Sequence, residues 1–222
     1  MENKYKAVIF DLDGTLLDTL EDLKNSVNES LRINGYNVSY TYEEAKWLIG
    51  NGTKRLCEMS IEKFNPTEEE NRKVFEDFTR LYRIKQLENT VPYPHVKELL
   101  FSLKEEGIKV CVLSNKTEEN VKEILASIFP NYHFDFVVGQ RKDVPKKPDP
   151  YCLNKMIEDL KLNKKEILYV GDSDVDMIVS NNVNLDNVAV SYGYRPREML
   201  KQYNPNYIVD DIIEILEIIK NK

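Results

Sequence analysis

Two aspartates separated by one residue follow a short apolar segment near the start of the chain. The segment at residues 7–10 leads directly into Asp11 and Asp13, and Gly14 comes next. Residues two apart on an extended chain point to the same side, so the two carboxylates can share a hard cation or divide nucleophile and acid–base roles. Gly14 permits a sharp turn that brings backbone amides close to an anion. The motif therefore predicts metal or phosphate chemistry.

Two further polar motifs follow apolar segments later in the chain. Ser114 and Asn115 offer a hydroxyl and an amide that can cradle an anion, although the pair would serve equally well as a helix cap. Lys147 precedes a loop in which prolines flank Asp149, and it could neutralise phosphate charge or a developing oxyanion. The neighbouring Lys146 is interpreted as a surface residue.

A fourth motif crowds three carboxylates, Asp172, Asp174 and Asp176. Crowded acids raise each other's pKa unless a cation offsets them. Acids at the start of a helix interact favourably with its dipole, which explains the presence of Asp174 and in part that of Asp176. Asp174 is interpreted as a capping residue. It does not explain Asp172, which still lies at the end of the preceding apolar segment.

The elements that must position these motifs alternate between strand and helix after residue 91. The predicted strands are 6–10, 110–113, 136–138, 167–170, 188–190 and 207–209, and the predicted helices are 96–105, 117–128, 150–161, 175–182, 196–201 and 211–220. Strands that are apolar throughout and alternate with helices indicate an α/β fold, a Rossmann-like three-layer parallel sheet covered on both faces. Ligands bind outside the carboxyl ends of such strands, where all four motifs fall.

Between the first two motifs the chain reads as helical, with no predicted strand from 16 to 90. Thr41 with Glu44, and Thr67 with Glu70, have the spacing of capping boxes. We therefore expect an α/β core domain formed by residues 1–15 and 91–222, interrupted by a helical-bundle cap domain at 16–90.

The composition restricts the partners and the compartment. With 31 Lys+Arg against 38 Asp+Glu, the net charge of the 222-residue chain is −7, which argues against a nucleic-acid or anionic-membrane surface. Three cysteines without a close pair indicate free thiols, and the apolar segment at 7–10 is too short for a signal peptide. We expect a cytoplasmic protein, monomeric or homodimeric, without a nucleic-acid or membrane partner.

The donor set favours magnesium. The chain has two histidines, so an imidazole-rich metal site is not expected, and carboxylates without thiol or imidazole suit Mg²⁺. A magnesium ion, a lysine and a free carboxylate together suit phosphoryl transfer through an aspartyl-phosphate.

The four motifs, in this order, resemble those of the haloacid dehalogenase superfamily, in its phosphatase branch. Residues 10–19 match the first motif throughout, Ser114-Asn115 the second, residues 147–150 the third and residues 171–176 the fourth. The helical insert resembles the α-helical cap of that family. Segments 47–53 and 190–194 resemble those of phosphoglycolate phosphatase-like members.

The resemblance implies a role for each motif. Asp11 would attack phosphorus, and Asp13 would protonate the leaving oxygen and then activate water. Ser114, Asn115 and Lys147 would hold the phosphoryl oxygens.

The resemblance also implies a Mg²⁺ site. Asp11 and Asp172 would bind the ion through carboxylates and Asp13 through its backbone carbonyl. Asp176 would hold Lys147 or a water molecule on the ion.

The substrate implied by the resemblance is a small phosphorylated metabolite, 2-phosphoglycolate before others. A pyrophosphatase or a β-phosphoglucomutase-like phosphosugar mutase shares most of the framework, and a dehalogenase would not need Asp13. A catalytically silent phosphate-binding module is the non-enzymatic alternative, against which the presence of all four motifs argues. Gly50, Asn51 and Gly52 are candidates to line the cleft, although a helix-breaking turn explains them equally well.

Overall fold

A parallel sheet forms the centre of the computed structural model, which describes residues 3–220. The strands in chain order are β1 (Ala7–Phe10), β2 (Leu17–Asp18), β3 (Val91–Pro92), β4 (Lys109–Thr117), β5 (Phe136–Gln140), β6 (Ile167–Gly171), β7 (Asp186–Val190) and β8 (Tyr207–Val209). Within the described residues, six of them form one sheet in the spatial order β5-β4-β1-β6-β7-β8, and β2 pairs antiparallel with β3. The predicted parallel sheet is confirmed.

The register of the central strands brings their carboxyl ends to one edge. Phe10 at the end of β1 pairs with Val112 of β4 on one side and with Val170 of β6 on the other. The residues that follow each of these positions therefore meet above the same edge of the sheet.

Helices cover both faces of the sheet. In chain order they are α1 (Leu20–Ile33), α2 (Tyr42–Ala45), α3 (Thr53–Ile61), α4 (Glu68–Lys85), α5 (Val96–Glu105), α6 (Glu118–Ile128), α7 (Tyr151–Leu160), α8 (Asp174–Asn182), α9 (Arg197–Lys201) and α10 (Ile215–Lys220). Apolar residues of α5, α6 and α10 pack on one face, and those of α7 and α8 pack on the other. No helix within residues 3–220 is long and apolar enough to cross a membrane.

Helices α1 to α4 lie between β2 and β3 and bury their apolar faces against one another. Leu23, Val27 and Leu31 of α1 share one cluster with Val74 and Phe78 of α4. Both predicted capping boxes are confirmed, at the starts of α2 and α4.

Three of the predicted secondary-structure elements differ clearly from the structure. The chain does form a strand between residues 16 and 90, because β2 pairs with β3 in a separate two-stranded sheet at the two ends of the helical insert. A strand of two residues is too short to show a recognisable alternation. Strand β4 continues past residue 113, through Ser114 and Asn115 to Thr117, after a register shift against β5 that no apolar pattern marks. The helix predicted at 211–220 begins with a 3₁₀ turn, Ile212–Glu214, which Asp211 caps.

Candidate active site

Three carboxylates gather at the edge where β1 and β6 end. Asp11 follows β1, Asp172 follows β6 and Asp176 lies in the first turn of α8; one oxygen from each lies within 4.8 Å of the others. Burial raises the pKa of Asp11 to about 7, with Lys147 opposing the rise and Asp176 and Asp13 adding to it. Burial, Asp176 and Asp11 likewise raise the pKa of Asp172 well above its usual range. The cluster is therefore electrostatically strained unless cations offset it.

Lys147 provides one such cation. Its side chain is 3% exposed, and Nζ lies 2.9 Å from Asp11 Oδ1 and 2.8 Å from Asp176 Oδ1. It also donates a hydrogen bond to the Tyr169 hydroxyl at 3.2 Å. Burial alone would lower the pKa of Lys147, but Asp11 and Asp176 raise it overall, so the ammonium stays charged. Lys146, by contrast, is exposed and donates to the backbone oxygen of Asn51.

Asp176 is fully buried and held rigidly. It accepts hydrogen bonds from Ser173 Oγ at 2.5 Å and from the Tyr169 hydroxyl at 2.9 Å. Ser173 caps α8 and forms a capping box with Asp176, so the interpretation of Asp174 as the capping residue is wrong. Ser173 occupies the cap position because it is the last extended residue before the helix. Asp174 instead accepts a hydrogen bond from Arg195 Nε at 3.2 Å.

Asp172 is fixed by two donors and two glycines. Its oxygens accept hydrogen bonds from Thr15 Oγ1 at 3.1 Å and from the Tyr194 backbone amide at 2.8 Å. A Cβ atom at Gly14, whose φ is +83°, would lie 2.3 Å from Asp172 Oδ2, and one at Gly193 would lie 2.3 Å from Asp172 Cβ. Both positions therefore require glycine.

The carboxylate cluster fits a divalent cation. Asp11 Oδ1 is buried and makes no hydrogen bond with any residue of the described part of the chain, although Lys147 lies beside it. Three converging carboxylates, one with an oxygen unused for hydrogen bonding, form the hard oxygen donor set that Mg²⁺ and similar ions take. The site can therefore hold a divalent metal ion.

Asp13 lies apart from this cluster and faces a second buried lysine. Its Oδ1 accepts a hydrogen bond from Thr19 Oγ1 at 2.6 Å and lies 2.9 Å from Lys116 Nζ. The Lys116 side chain is 1% exposed and also donates to the Tyr82 hydroxyl of α4 at 2.8 Å. Burial lowers the pKa of Lys116, but Asp13 and Tyr82 raise it overall. Lys116 is not among the residues predicted from the sequence, where its only signal is its position directly after Ser114 and Asn115.

A cavity of about 40 Å³ opens between the sheet edge and the helical insert. Asp11, Asp13, Ser114, Asn115 and Asp172 line its sheet side. Of the three insert residues predicted to line the cleft, Gly50 and Gly52 line the cavity. Asn51 does not, and its backbone oxygen accepts a hydrogen bond from Lys146 instead. Asn115 Nδ2 donates to the backbone oxygens of Gly50 and Lys147, both at 2.9 Å, and so ties the insert to the third motif.

Arg195, in the segment after β7, lines the same cavity. It is 5% exposed and donates to the backbone oxygens of Lys46 and Ile49, each at 2.6 Å. Its guanidinium lies 5.3 Å from the centre of the Trp47 ring. Arg195 is not among the residues predicted from the sequence either, although it directly follows segment 190–194, one of the segments that carry the resemblance.

Comparison with known proteins relates the chain to one family of hydrolases. The model of the haloacid dehalogenase-like hydrolases matches residues 8–190. Phosphoglycolate phosphatase from Vibrio parahaemolyticus is 30% identical over 221 residues, covering 96% of each chain. A protein of Caldanaerobacter subterraneus provisionally named a pyrophosphatase is 33% identical, covering 98% of this chain and 96% of its own. The crystal structure of a predicted phosphoglycolate phosphatase from Haemophilus somnus superposes with a TM-score of 0.88 at 30% identity, covering 97% of this chain and 98% of that one.

Proposed function

Since the chain belongs to the haloacid dehalogenase-like hydrolases and is a phosphatase, we propose that it hydrolyses a small phosphate monoester through a phosphoaspartate on Asp11. The observation that carries this proposal is the contact between Asp11, which lines a small cavity, and the buried ammonium of Lys147 behind it. The nucleophile and a cation for the phosphoryl group are held together there before substrate arrives, which is the arrangement that stabilises developing charge most effectively.

The first step forms a bond between a carboxylate oxygen of Asp11 and phosphorus while the ester oxygen departs. Asp13 gives its proton to that oxygen and later takes one from the water that hydrolyses the acyl phosphate. Thr19 and Lys116, both in contact with Asp13, hold its carboxyl in place. Lys147, Ser114 and Asn115 would bind the phosphoryl oxygens.

Mg²⁺ is the proposed cofactor. Asp11 and Asp172 would hold it through carboxylates and Asp13 through its backbone carbonyl, while Asp176 positions Lys147. When bound, the ion neutralises the carboxylates and polarises the phosphoryl group. The chain's own contribution is the rigid support of Asp172 by Thr15 and Tyr194.

The helical insert would exclude water from the first step. Three side chains at the sheet edge donate hydrogen bonds to the insert. Arg195 donates to the backbone oxygens of Lys46 and Ile49. Asn115 donates to the backbone oxygen of Gly50, and Lys116 donates to the Tyr82 hydroxyl. A closed insert protects the phosphoryl group from direct attack by solvent until the acyl phosphate has formed.

2-Phosphoglycolate is the proposed substrate, because the relatives named as phosphoglycolate phosphatases cover nearly the whole chain and the cavity is small. Pyrophosphate is the second candidate, favoured by the relative from Caldanaerobacter subterraneus.

Phosphate release from 2-phosphoglycolate, pyrophosphate, sugar phosphates and para-nitrophenyl phosphate, with and without Mg²⁺, tests the proposal. We expect Mg²⁺-dependent release and the highest kcat/KM for 2-phosphoglycolate. A higher kcat/KM for pyrophosphate would overturn the substrate, and release from none of these compounds would favour a silent phosphate-binding module.

A further inference from the structure

Lys116 is a buried cation in the cavity wall. In the reaction proposed above it holds Asp13 but does not contact the substrate. Its side chain is only 1% exposed, yet it lines the cavity together with Asp13 and Ser114. Burying an ammonium is costly unless it is paired and hydrogen-bonded, so its partners indicate what the position requires.

The ammonium of Lys116 has a donor to spare. A lysine ammonium has three N–H donors. Lys116 Nζ donates to the Tyr82 hydroxyl at 2.8 Å and lies 2.9 Å from Asp13 Oδ1, so at least one of its N–H groups has no partner among residues 3–220. Lys147, in contrast, is surrounded by Asp11, Asp176 and Tyr169.

The other cation of the cavity wall is committed to the protein. Arg195 directs its three nitrogens at the Asp174 carboxylate and at the backbone oxygens of Lys46 and Ile49. Lys116 is therefore the cationic side chain of the described cavity wall that can most readily turn a donor toward a substrate.

The position of Lys116 matches the length of a short substrate. Ser114, a proposed phosphate ligand, and Lys116 both line the cavity from β4. Two residues of extended chain place their backbones roughly 6–7 Å apart, so Ser114 and Lys116 are near neighbours in the cavity wall, as a short ester that contacts both would require. On the insert side Leu23, Ile49 and Leu56 are apolar and Thr53 is polar but uncharged, so this wall offers no charged side chain to such a group.

We propose that Lys116 binds a second anionic group, a carboxylate, on the carbon chain of the substrate, and so restricts the enzyme to short phosphorylated acids. This inference rests on the proposed phosphatase function and names the substrate class of the same site. Tyr82 orients the ammonium from the insert side, so recognition of the acid and closure of the insert share one contact.

The test compares 2-phosphoglycolate with its amide, which has the same size but a neutral end. The wild-type protein should prefer the acid in kcat/KM by about 10- to 100-fold, the range expected for a hydrogen bond to a charged group. Lys116→Met should bring the two values to within about threefold of each other, chiefly through a loss on the acid. Lys146→Met, which removes the adjacent exposed lysine, should preserve the wild-type preference.

Equal losses on acid and amide in Lys116→Met would overturn the inference, because Lys116 would then act only by positioning Asp13. A ratio of kcat/KM near one between acid and amide in the wild-type protein would also overturn the inference. This comparison needs no variant, so it holds even if Lys116→Met does not fold. Hydrolysis of para-nitrophenyl phosphate but of neither compound by the wild-type protein would overturn the inference and leave the phosphatase function standing. Hydrolysis of none of the three would overturn both.

Discussion

Lys147 Nζ lies 2.9 Å from Asp11 Oδ1, inside the protein, with 3% of the lysine side chain exposed. The same nitrogen lies 2.8 Å from Asp176, which Ser173 and Tyr169 hold in turn. The Asp11–Lys147 pair is therefore built into the fold and does not depend on mobile surface side chains. A pair of this kind needs little reorganisation when phosphate arrives.

Replacing Lys147 by Met should lower both activity and stability. Asp11 and Asp176 would lose their shared cation, at a cost of about 3–5 kcal/mol for a broken buried pair. We expect kcat/KM to fall by ~10²–10³-fold, as for removal of one stabilising donor. Mg²⁺ should raise the Tm of this variant more than that of the wild-type protein, because the ion replaces the missing charge. Lys146→Met is the matched control. An equal rise in Tm with Mg²⁺ for Lys147→Met and the wild-type protein would show that Lys147 does not offset the charge of the carboxylates.

Thermal stability should depend on pH through Asp11. Its pKa in the folded protein is about 7, against an ordinary value of 3.8, so the folded chain binds more protons than the unfolded chain between these values. Without metal, this carboxyl therefore makes stability fall as pH rises through that window. Asp11→Asn should lack this component of the slope of Tm against pH. A steeper fall in the variant than in the wild-type protein would contradict the assignment.

Mg²⁺ binding should release a proton near neutral pH, because the ion takes the carboxylate form of Asp11. The increase in Tm at saturating Mg²⁺ should therefore be larger at about pH 8 than at about pH 6. Calorimetry in buffers of different ionisation enthalpy measures the released proton directly. Mg²⁺ binding without proton release across this pH range would show that Asp11 is not a ligand of the metal ion.

Arg195→Met should weaken substrate binding more than it slows the chemistry. The variant loses the hydrogen bonds to the backbone oxygens of Lys46 and Ile49, so the insert closes less readily over the cavity. We expect KM for 2-phosphoglycolate to rise about tenfold with a smaller change in kcat. Arg197→Met is the control, since Arg197 is part-exposed and pairs with Asp210. A fall in kcat at constant KM would show that Arg195 acts on the reacting groups instead.

Thr67→Ala should destabilise the insert without affecting catalysis. Thr67 caps α4 through the amide and side chain of Glu70, and loss of such a cap costs about 1 kcal/mol. For a chain of this size we expect Tm to fall by about 2–4 °C. Thr79→Ala, on the exposed face of the same helix, provides the comparison. A decrease in kcat/KM with Thr67→Ala would show that the start of α4 matters for the site.

The general position of the site could be predicted because strand pattern and motif position agree. Apolar strands that alternate with helices require a parallel sheet, and in such a sheet Asp11 and Asp172 must come together at one edge. The contact of Lys147 with both Asp11 and Asp176 is consistent with the order of the motifs. The division into residues 1–15 with 91–222 and 16–90 stays a prediction.

The remaining features depend on tertiary contacts that no local pattern encodes. Lys116 looks like a solvated lysine until α4 places the Tyr82 hydroxyl against it, 34 residues away in sequence. Arg195 reaches oxygens of Lys46 and Ile49 across 149 and 146 residues. Ser173 and Asp174 are both good capping residues, so only the point at which the backbone turns helical decides between them.

The central claim is that phosphorus becomes bonded to Asp11. The most direct measurement is acid quenching after brief incubation with radiolabelled para-nitrophenyl phosphate and Mg²⁺, followed by identification of the labelled peptide. This ester has a good leaving group, so Asp13→Asn should still phosphorylate Asp11 but hydrolyse the acyl phosphate slowly and accumulate hydroxylamine-labile label.

Asp11→Asn should take up no label and should lose turnover by about 10⁴-fold or more. Asp149→Asn, which changes an exposed carboxylate of the third motif, should behave like the wild-type protein. We expect label on Asp11 in the Asp13→Asn variant. Label on another residue, or Mg²⁺-dependent turnover retained by Asp11→Asn, would rule out Asp11 as the nucleophile.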